Sequence, residues 1–147
     1  MISSKGRYAL RSMLDIAING VDENVKTKDI AERQDISIKY LEQIVSILNK
    51  AGYITSKRGP QGGCRLTNPP SEYTVGMILR LIEGDIAPVS CVSDNCANSS
   101  KCTSMILWRK LDNAINDVLD STTLADMMEW DFKGRMIEIG FPDTYQI

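Results

Sequence analysis

The sequence predicts a mainly α-helical chain with a small β-hairpin wing: a winged helix-turn-helix followed by a long C-terminal helix suited to dimerisation. Three observations predict it. Apolar residues recur at helical spacing over most of the 147 residues. One turn-forming segment, GPQGG, falls between two short β-prone runs. Three of the four cysteines crowd into CVSDNCANSSKC, a polar stretch that divides the helices into two groups.

The elements follow in order. In ALRSMLDIAI, Leu10, Met13, Leu14, Ala17 and Ile18 share one helical face, and Asn19-Gly20 ends the run. Thr27 reads as the N-cap of a short second helix, KDIAERQ. A turn at Asp35-Ile36-Ser37 leads into SIKYLEQIVSILNKAG, capped by Ser37 and stopped at Gly52. Two short helices, a tight turn and a longer helix make a helix-turn-helix pattern. In the third helix Leu41, Ile44, Val45 and Leu48 form the core stripe. Lys39, Gln43, Ser46 and Lys50 lie opposite, a polar face with two cations and a glutamine able to read base edges.

YITSKRGPQGGCRLT then reads as strand, turn, strand, with Lys57, Arg58 and Arg65 flanking the glycines and Gln61 within the loop. A basic hairpin directly after a helix-turn-helix makes a wing. It can track the DNA backbone or enter the minor groove, where arginine is favoured. Pro69-Pro70 separates the wing from TVGMILRLIEG, an amphipathic helix capped by Thr74 with Met77, Ile78, Leu81 and Ile82 on its apolar face. The cysteine stretch reads as irregular. From Ser104 the helical pattern returns, and Leu107, Leu111, Ala114, Ile115 and Val118 form one stripe. That stripe packs either on its own domain or on a second copy of itself. Ser121-Thr122-Thr123 caps a short helix, LADMMEW.

Composition narrows the function classes. An apolar fraction of 43% is enough for a core. No apolar run is long enough to span a membrane. MISSKGRYAL has no signal-peptide core, so the expected location is cytoplasmic. Residues 1–66 carry 11 Lys and Arg against 7 Asp and Glu, a net +4, whereas residues 67–147 carry 6 against 12, a net −6. A basic first half on an acidic chain points to a polyanion-binding part. The chain has no histidine, and no nucleophile–base pairing is visible, so an enzyme is disfavoured.

The cysteines are spaced C-x4-C-x5-C at Cys91, Cys96 and Cys102, with Cys64 apart in the wing. In a cytosolic chain such thiols read as metal ligands or redox thiols before disulfides. Soft thiolates suit iron–sulfur chemistry. Structural zinc usually takes paired knuckles and a full set of four ligands. Unmetallated redox thiols are a further reading.

Taken together, SSKGRYALRSMLDIA, ISIKYLEQIVSILNKAGYI, SKRGPQGGCRL and TVGMILRLIEG resemble the Rrf family of bacterial winged-helix regulators, with IscR-, NsrR- and CymR-type members. The likeness covers about residues 2–125, and the cysteine segment with the following LWRKL resembles the IscR type. It implies a homodimeric, operator-binding transcription regulator, the operator being pseudo-palindromic. It also implies an iron–sulfur cluster on Cys91, Cys96 and Cys102, with 2Fe-2S favoured over 4Fe-4S. Bases would be read by Lys39, Glu42 and Gln43, with Ser37 near a phosphate and Arg58 in the wing. Glu42 makes sense beside a polyanion if it accepts from a cytosine amino group. Tyr40 would touch the DNA backbone or pack against the wing. The alternatives are a CymR-like sulfur-metabolism repressor that uses thiol sensing or a protein partner, and a ferredoxin-like electron carrier.

The fourth cluster ligand is the open point. In IscR-type members a histidine three residues after the last cysteine serves; here that residue is Met105. In some NsrR-type members an aspartate of the partner's first helix serves; the matching residue here is Arg7. Cys64, Asp94, Ser104, a partner-subunit carboxylate and an exogenous small thiol are the remaining candidates. The resulting division is 1–84 for the winged DNA-binding domain and 85–103 for the cysteine loop. Residues 104–131 form the dimerisation and capping helices, and 132–147 a tail without a readable motif.

Overall fold

The computed structural model describes residues 1–138, so the expected tail beyond Glu138, including Gly140-Phe141-Pro142, lies outside the described residues. The helices α1 (Ser4–Asn19), α2 (Thr27–Gln34) and α3 (Ile38–Lys50) precede the hairpin β1 (Ile54–Lys57) and β2 (Gly63–Leu66). Then come α4 (Val75–Glu83), the single turn α5 (Ser90–Ser93), α6 (Ser104–Ser121) and α7 (Leu124–Glu138). The architecture is a mostly helical winged helix-turn-helix, as the sequence predicts. The strands pair antiparallel, with Ile54 opposite Leu66 and Lys57 opposite Gly63.

Local chemistry explains most boundaries. Ser3, Ser37 and Thr74 each accept a backbone N–H through the side-chain oxygen, capping α1, α3 and α4. Thr123 caps α7 in a reciprocal pair, accepting from Asp126 N while its own N–H donates to the Asp126 carboxylate. The α2–α3 turn passes through Asp35 at φ 53°, the left-handed region that Asp tolerates better than most residues. Gly63, at φ 134°, lies where a Cβ would meet the Val25 carbonyl carbon at 2.7 Å. That close approach lets Val25 and Cys64 exchange both backbone hydrogen bonds, at 2.8 and 2.7 Å.

Three expectations are corrected. Thr27 does not cap α2; Lys26 holds that position without a side-chain bond, and the Thr27 hydroxyl turns to the Cys64 sulfur at 4.0 Å. Met77 is exposed, because the buried face of α4 is Val75, Ile78 and Leu79. The helix after Thr123 is not short; it runs 15 residues to Glu138.

One core joins the winged half to α7. Met13 and Ile16 of α1, Ile30 of α2 and Leu41, Ile44 and Leu48 of α3 pack with Ile54, Tyr73, Ile78 and Leu124. Full burial of such a side chain contributes about 1.5–3 kcal/mol. Tyr73 accepts from Asn68 N at 3.0 Å and donates to Tyr53 O at 2.8 Å, so its hydroxyl is satisfied inside the core. Bonds from Val75 N to Thr122 O and from Leu124 N to Tyr73 O stitch the start of α4 to the start of α7. A smaller cluster of Val75, Leu79, Ile86 and Leu119 joins α4 to α6. Arg80 of α4 braces it by donating to Asp120 and Asn116 of α6.

Candidate nucleic-acid interface and cysteine site

The recognition-helix candidates stand on one open face. Lys39, Glu42, Gln43, Ser46 and Lys50 are exposed, while Leu41, Ile44 and Leu48 on the opposite side are fully buried. Ser37 accepts from Tyr40 N at 3.2 Å, which leaves its O–H free to donate outward. Tyr40 is half-buried and packs edge-on against Tyr8 of α1, ring centres 5.8 Å apart, rather than against the wing. Arg11 lies over the other ring of that pair, Tyr8, at 5.4 Å, and donates to the carbonyl and side chain of Gln34. α1 thereby fixes both ends of the α2–α3 turn. This bracing set was not legible in the sequence, because the partners of Tyr8 and Arg11 lie more than 20 residues away in the chain.

Beneath it lies Asp15, with 1% of its side chain exposed. Its carboxylate accepts from Arg33 Nε at 3.0 Å and Nη2 at 2.7 Å, and from Gln34 Nε2 at 2.8 Å. The same contact holds the Arg33 guanidinium above its ordinary pKa. A buried carboxylate with this many donors is well satisfied, and it locks α1 to the end of α2. On the wing, Arg58 and Gln61 are exposed, and the Gln61 carbonyl accepts from Asn24.

The cysteines divide sharply. Cys64 is 1% exposed beneath the wing, and burial pushes its thiol pKa up. Cys91 and Cys102 are exposed and Cys96 is half-buried, all on the segment between α4 and α6. Cys91 and Cys96 open on one cleft of about 440 Å³ that Asp94 and Arg109 also line. Asp85 latches the base of the loop, accepting from Ala87 N at 2.9 Å and from the Ser93 hydroxyl. Those bonds, the Ser93 hydroxyl first, hold its carboxyl below the usual range. Among the described residues, no three His, Cys, Asp or Glu side chains are gathered closely enough to hold a metal ion. In chemistry three thiols on one polar loop would suit an iron–sulfur cluster, but of the three only Cys91 and Cys96 line the shared cleft. Met105 is 3% exposed, and its backbone N–H donates to the Cys102 carbonyl. Arg7 is exposed, donating to the Ser4 hydroxyl at 3.0 Å.

The stripe on α6 stays uncovered in the single chain. Leu107, Leu111 and Val118 are 57%, 41% and 63% exposed. Ala114 is also exposed, and Ile115 is half-buried against the smaller cluster. No helix among the described residues is long and apolar enough to cross a membrane.

A helix-turn-helix with an exposed polar recognition face and a basic wing defines a DNA-binding regulator of the winged-helix class. The chain belongs to the Rrf2 family, described as iron-dependent transcriptional regulators, whose family model matches residues 2–130. It is 41% identical over 128 residues to the HTH-type transcriptional regulator IscR of Aliivibrio salmonicida, covering 86% of this chain and 76% of that protein. It is 40% identical over 129 residues to the protein rrf2 of Nitratidesulfovibrio vulgaris, covering 86% of each. Among solved structures it resembles CymR, the global cysteine regulator of B. subtilis, with a TM-score of 0.76 and 38% identity over 88% of this chain and 97% of that one. T. potens IscR gives a TM-score of 0.74 and 36% identity over 99% and 94%. These relatives are regulators, and the chain is a transcriptional regulator rather than an enzyme.

Proposed function

We propose that the chain is a homodimeric cytoplasmic regulator whose operator affinity is set by an iron–sulfur cluster on Cys91, Cys96 and Cys102. One observation carries this reading: the exposed thiols sit on the connection between α4, which packs on α1, and α6, whose apolar stripe is uncovered. Closing the loop around a shared ligand would fix how α6 leaves the winged half. Because α6 would pair the two subunits, that angle sets the spacing of the two recognition helices. A coupling of this kind is worth about 1–3 kcal/mol in DNA affinity.

The residue roles follow from exposure and chemistry. Lys39, Glu42 and Gln43 read bases, Ser37, Ser46, Lys50 and Tyr40 position the backbone, and Arg58 and Gln61 act from the wing. Leu107, Leu111, Ala114, Ile115 and Val118 form the dimer contact. Residues 1–84 bind DNA, 85–103 hold the cluster and 104–131 pair the subunits. The family description, with its iron dependence, and the likeness to IscR proteins support the cluster; three solvent-accessible thiols also support a thiol-sensing, CymR-like reading.

Anaerobic purification with iron and sulfide analysis separates the two. Visible absorption with stoichiometric iron and sulfide is expected. Colourless protein whose operator binding responds to thiol oxidation instead establishes the second reading. A coloured protein that fails to protect a two-fold operator in footprinting would be an electron carrier and not a regulator.

A further inference from the structure

We infer that the cleft between α7 and the helix-turn-helix brace is an effector site for a small apolar carboxylic acid. It lies apart from the cysteine loop and shares no residue with it. The cleft measures about 450 Å³, within the roughly 300–1,000 Å³ range of small-molecule sites. Its lining comes from α1, the end of α2 and α7, and none of it lies on α6.

Charge decides the polarity of the occupant. Arg11, Arg33 and Arg135 line the cleft against two carboxylates, Asp15 and Asp131, so the lining keeps one positive charge. Both carboxylates are already taken. Asp15 accepts from Arg33 and Gln34, and Asp131 pairs with Arg135 Nε at 3.1 Å. The guanidiniums are not used up. Arg11 and Arg33 each donate through Nε and Nη2, and Arg135 pairs through Nε alone. Among the described residues, Nη1 of Arg11 and of Arg33 and both Nη groups of Arg135 have no hydrogen-bond partner. Guanidinium N–H groups of this kind hold a carboxylate better than a neutral group. Leu14 and Ile18, half-buried and one turn apart on α1, add an apolar wall. A molecule with a carboxylate at one end and a short hydrocarbon chain at the other meets both. Arg11 and Arg33 also hold α1 to the end of α2, beside the α2–α3 turn. A carboxylate bound by Arg135 and either of them ties that turn to α7, and so bears on the recognition helix.

The test uses the full chain, with hexanoate as the probe, hexanamide as its neutral counterpart and acetate as its short one. Calorimetry and amide NMR shifts read binding, and fluorescence anisotropy reads operator affinity. Hexanoate should bind about tenfold tighter, or more, than hexanamide and than acetate, with shifts on α1, the end of α2 and α7. Arg135→Gln should bring the hexanoate-to-hexanamide ratio close to one and leave hexanamide binding unchanged. Asp131→Asn should raise hexanoate affinity by about twofold, because it frees Arg135 from a competing carboxylate. Both substitutions leave the Asp15 brace in place. Saturation with hexanoate should shift operator affinity by about fivefold or more. No saturable binding, or equal affinity for hexanoate and hexanamide in the wild type, overturns the site. Acetate binding as tightly as hexanoate overturns the apolar class of occupant. Saturation that leaves operator affinity unchanged overturns the effector role. None of these outcomes involves iron, so the iron–sulfur reading stands or falls separately.

Discussion

The winged half and the cysteine loop treat the same kind of atom in opposite ways. Beneath the wing, the Cys64 sulfur is enclosed by the core and faces the Thr27 hydroxyl, and its thiol is held in the neutral form by burial. On the loop, the three other thiols reach solvent, and backbone turns within the segment, such as Asp94 N to Ser90 O at 2.8 Å, take the place of a packed core. The winged half also satisfies its one deeply buried carboxylate, Asp15, with four side-chain donors from Arg33, Gln34 and Asn19. The difference teaches where each half spends its interactions. The buried polar groups of the first, Asp15 with Arg33 and Gln34, are consumed in holding α1 to α2. The loop thiols are left available, which a reactive or ligand-holding segment requires.

The largest contrast should appear on truncation. Ile44→Ala removes a fully buried side chain from the core and should cost about 2–5 kcal/mol in urea denaturation. Cys102→Ala in metal-free protein removes an exposed group and should stay within about 0.5 kcal/mol. Similar losses at both sites would erase the distinction between the halves. Met105→Ala sharpens it: a loss of about 2–5 kcal/mol is expected from its burial, with any visible cluster spectrum retained. Loss of the spectrum in a folded Met105→Ala protein would make the thioether a ligand and would place α6 within the cluster site.

A smaller effect tests the buried ion pair. Asp15→Asn should cost about 1–3 kcal/mol, the penalty of leaving strong donors poorly matched. The lower end is expected, because 42% of the Arg33 side chain is exposed and can turn to water. A change below the error of denaturation would mean that the turn is held by Arg11 and Gln34 alone.

Helical spacing made the recognition helix and its outer face legible in the sequence, because Leu41, Ile44 and Leu48 recur at the period that burial requires. The wing was legible from its glycines, and Gly63 is where the backbone demands one. The cap of α2 was misread, because Thr27 offers a hydroxyl whose use depends on a sulfur 37 residues away. The face of α4 was also misread at Met77; one residue of rotation on a short helix decides which apolar side chain meets α1, and local pattern carries no information on that. The contacts of Tyr8 with Tyr40 and of Arg11 with Gln34 were invisible for the same reason. Each matters only through a neighbour brought in by the fold.

At the DNA face the comparison moves within one half, between charge that binds and charge that selects. Arg58→Ala should weaken binding to all sequences about equally and reduce the salt slope by about 1, as expected for one lost phosphate contact. Glu42→Ala should relax base preference by about 1–3 kcal/mol at one position while leaving or raising affinity for random DNA. Fluorescence anisotropy over a salt series on operator and random duplexes measures both. Equal losses on the two duplexes for Glu42→Ala would exclude base reading by that carboxylate.

The smallest expected effects are the pH slopes, which again divide by region. Glu83, the last residue of α4, accepts from the Ser3 hydroxyl at 2.6 Å and from Ser3 N at 2.8 Å. These bonds, the hydroxyl first, hold its carboxyl below the usual range in the folded protein. The group therefore adds stability above the unfolded carboxylate pKa, and that contribution is lost as pH falls through the lower folded value. Cys64 behaves in the reverse sense. Burial raises its folded pKa, so the neutral thiol is retained when the unfolded chain has already ionised, and stability declines as pH rises past the ordinary thiol range. Midpoints of urea denaturation across pH should fall at both ends. Glu83→Gln should flatten the acid side alone and Cys64→Ser the alkaline side alone. The exposed position of Ser3 makes the acid effect weak and sensitive to salt, whereas the enclosed sulfur should be indifferent to it. An alkaline slope that survives in Cys64→Ser would mean that burial of this thiol does not carry it, and Cys64 would then lose its place as the buried counterpart of the loop.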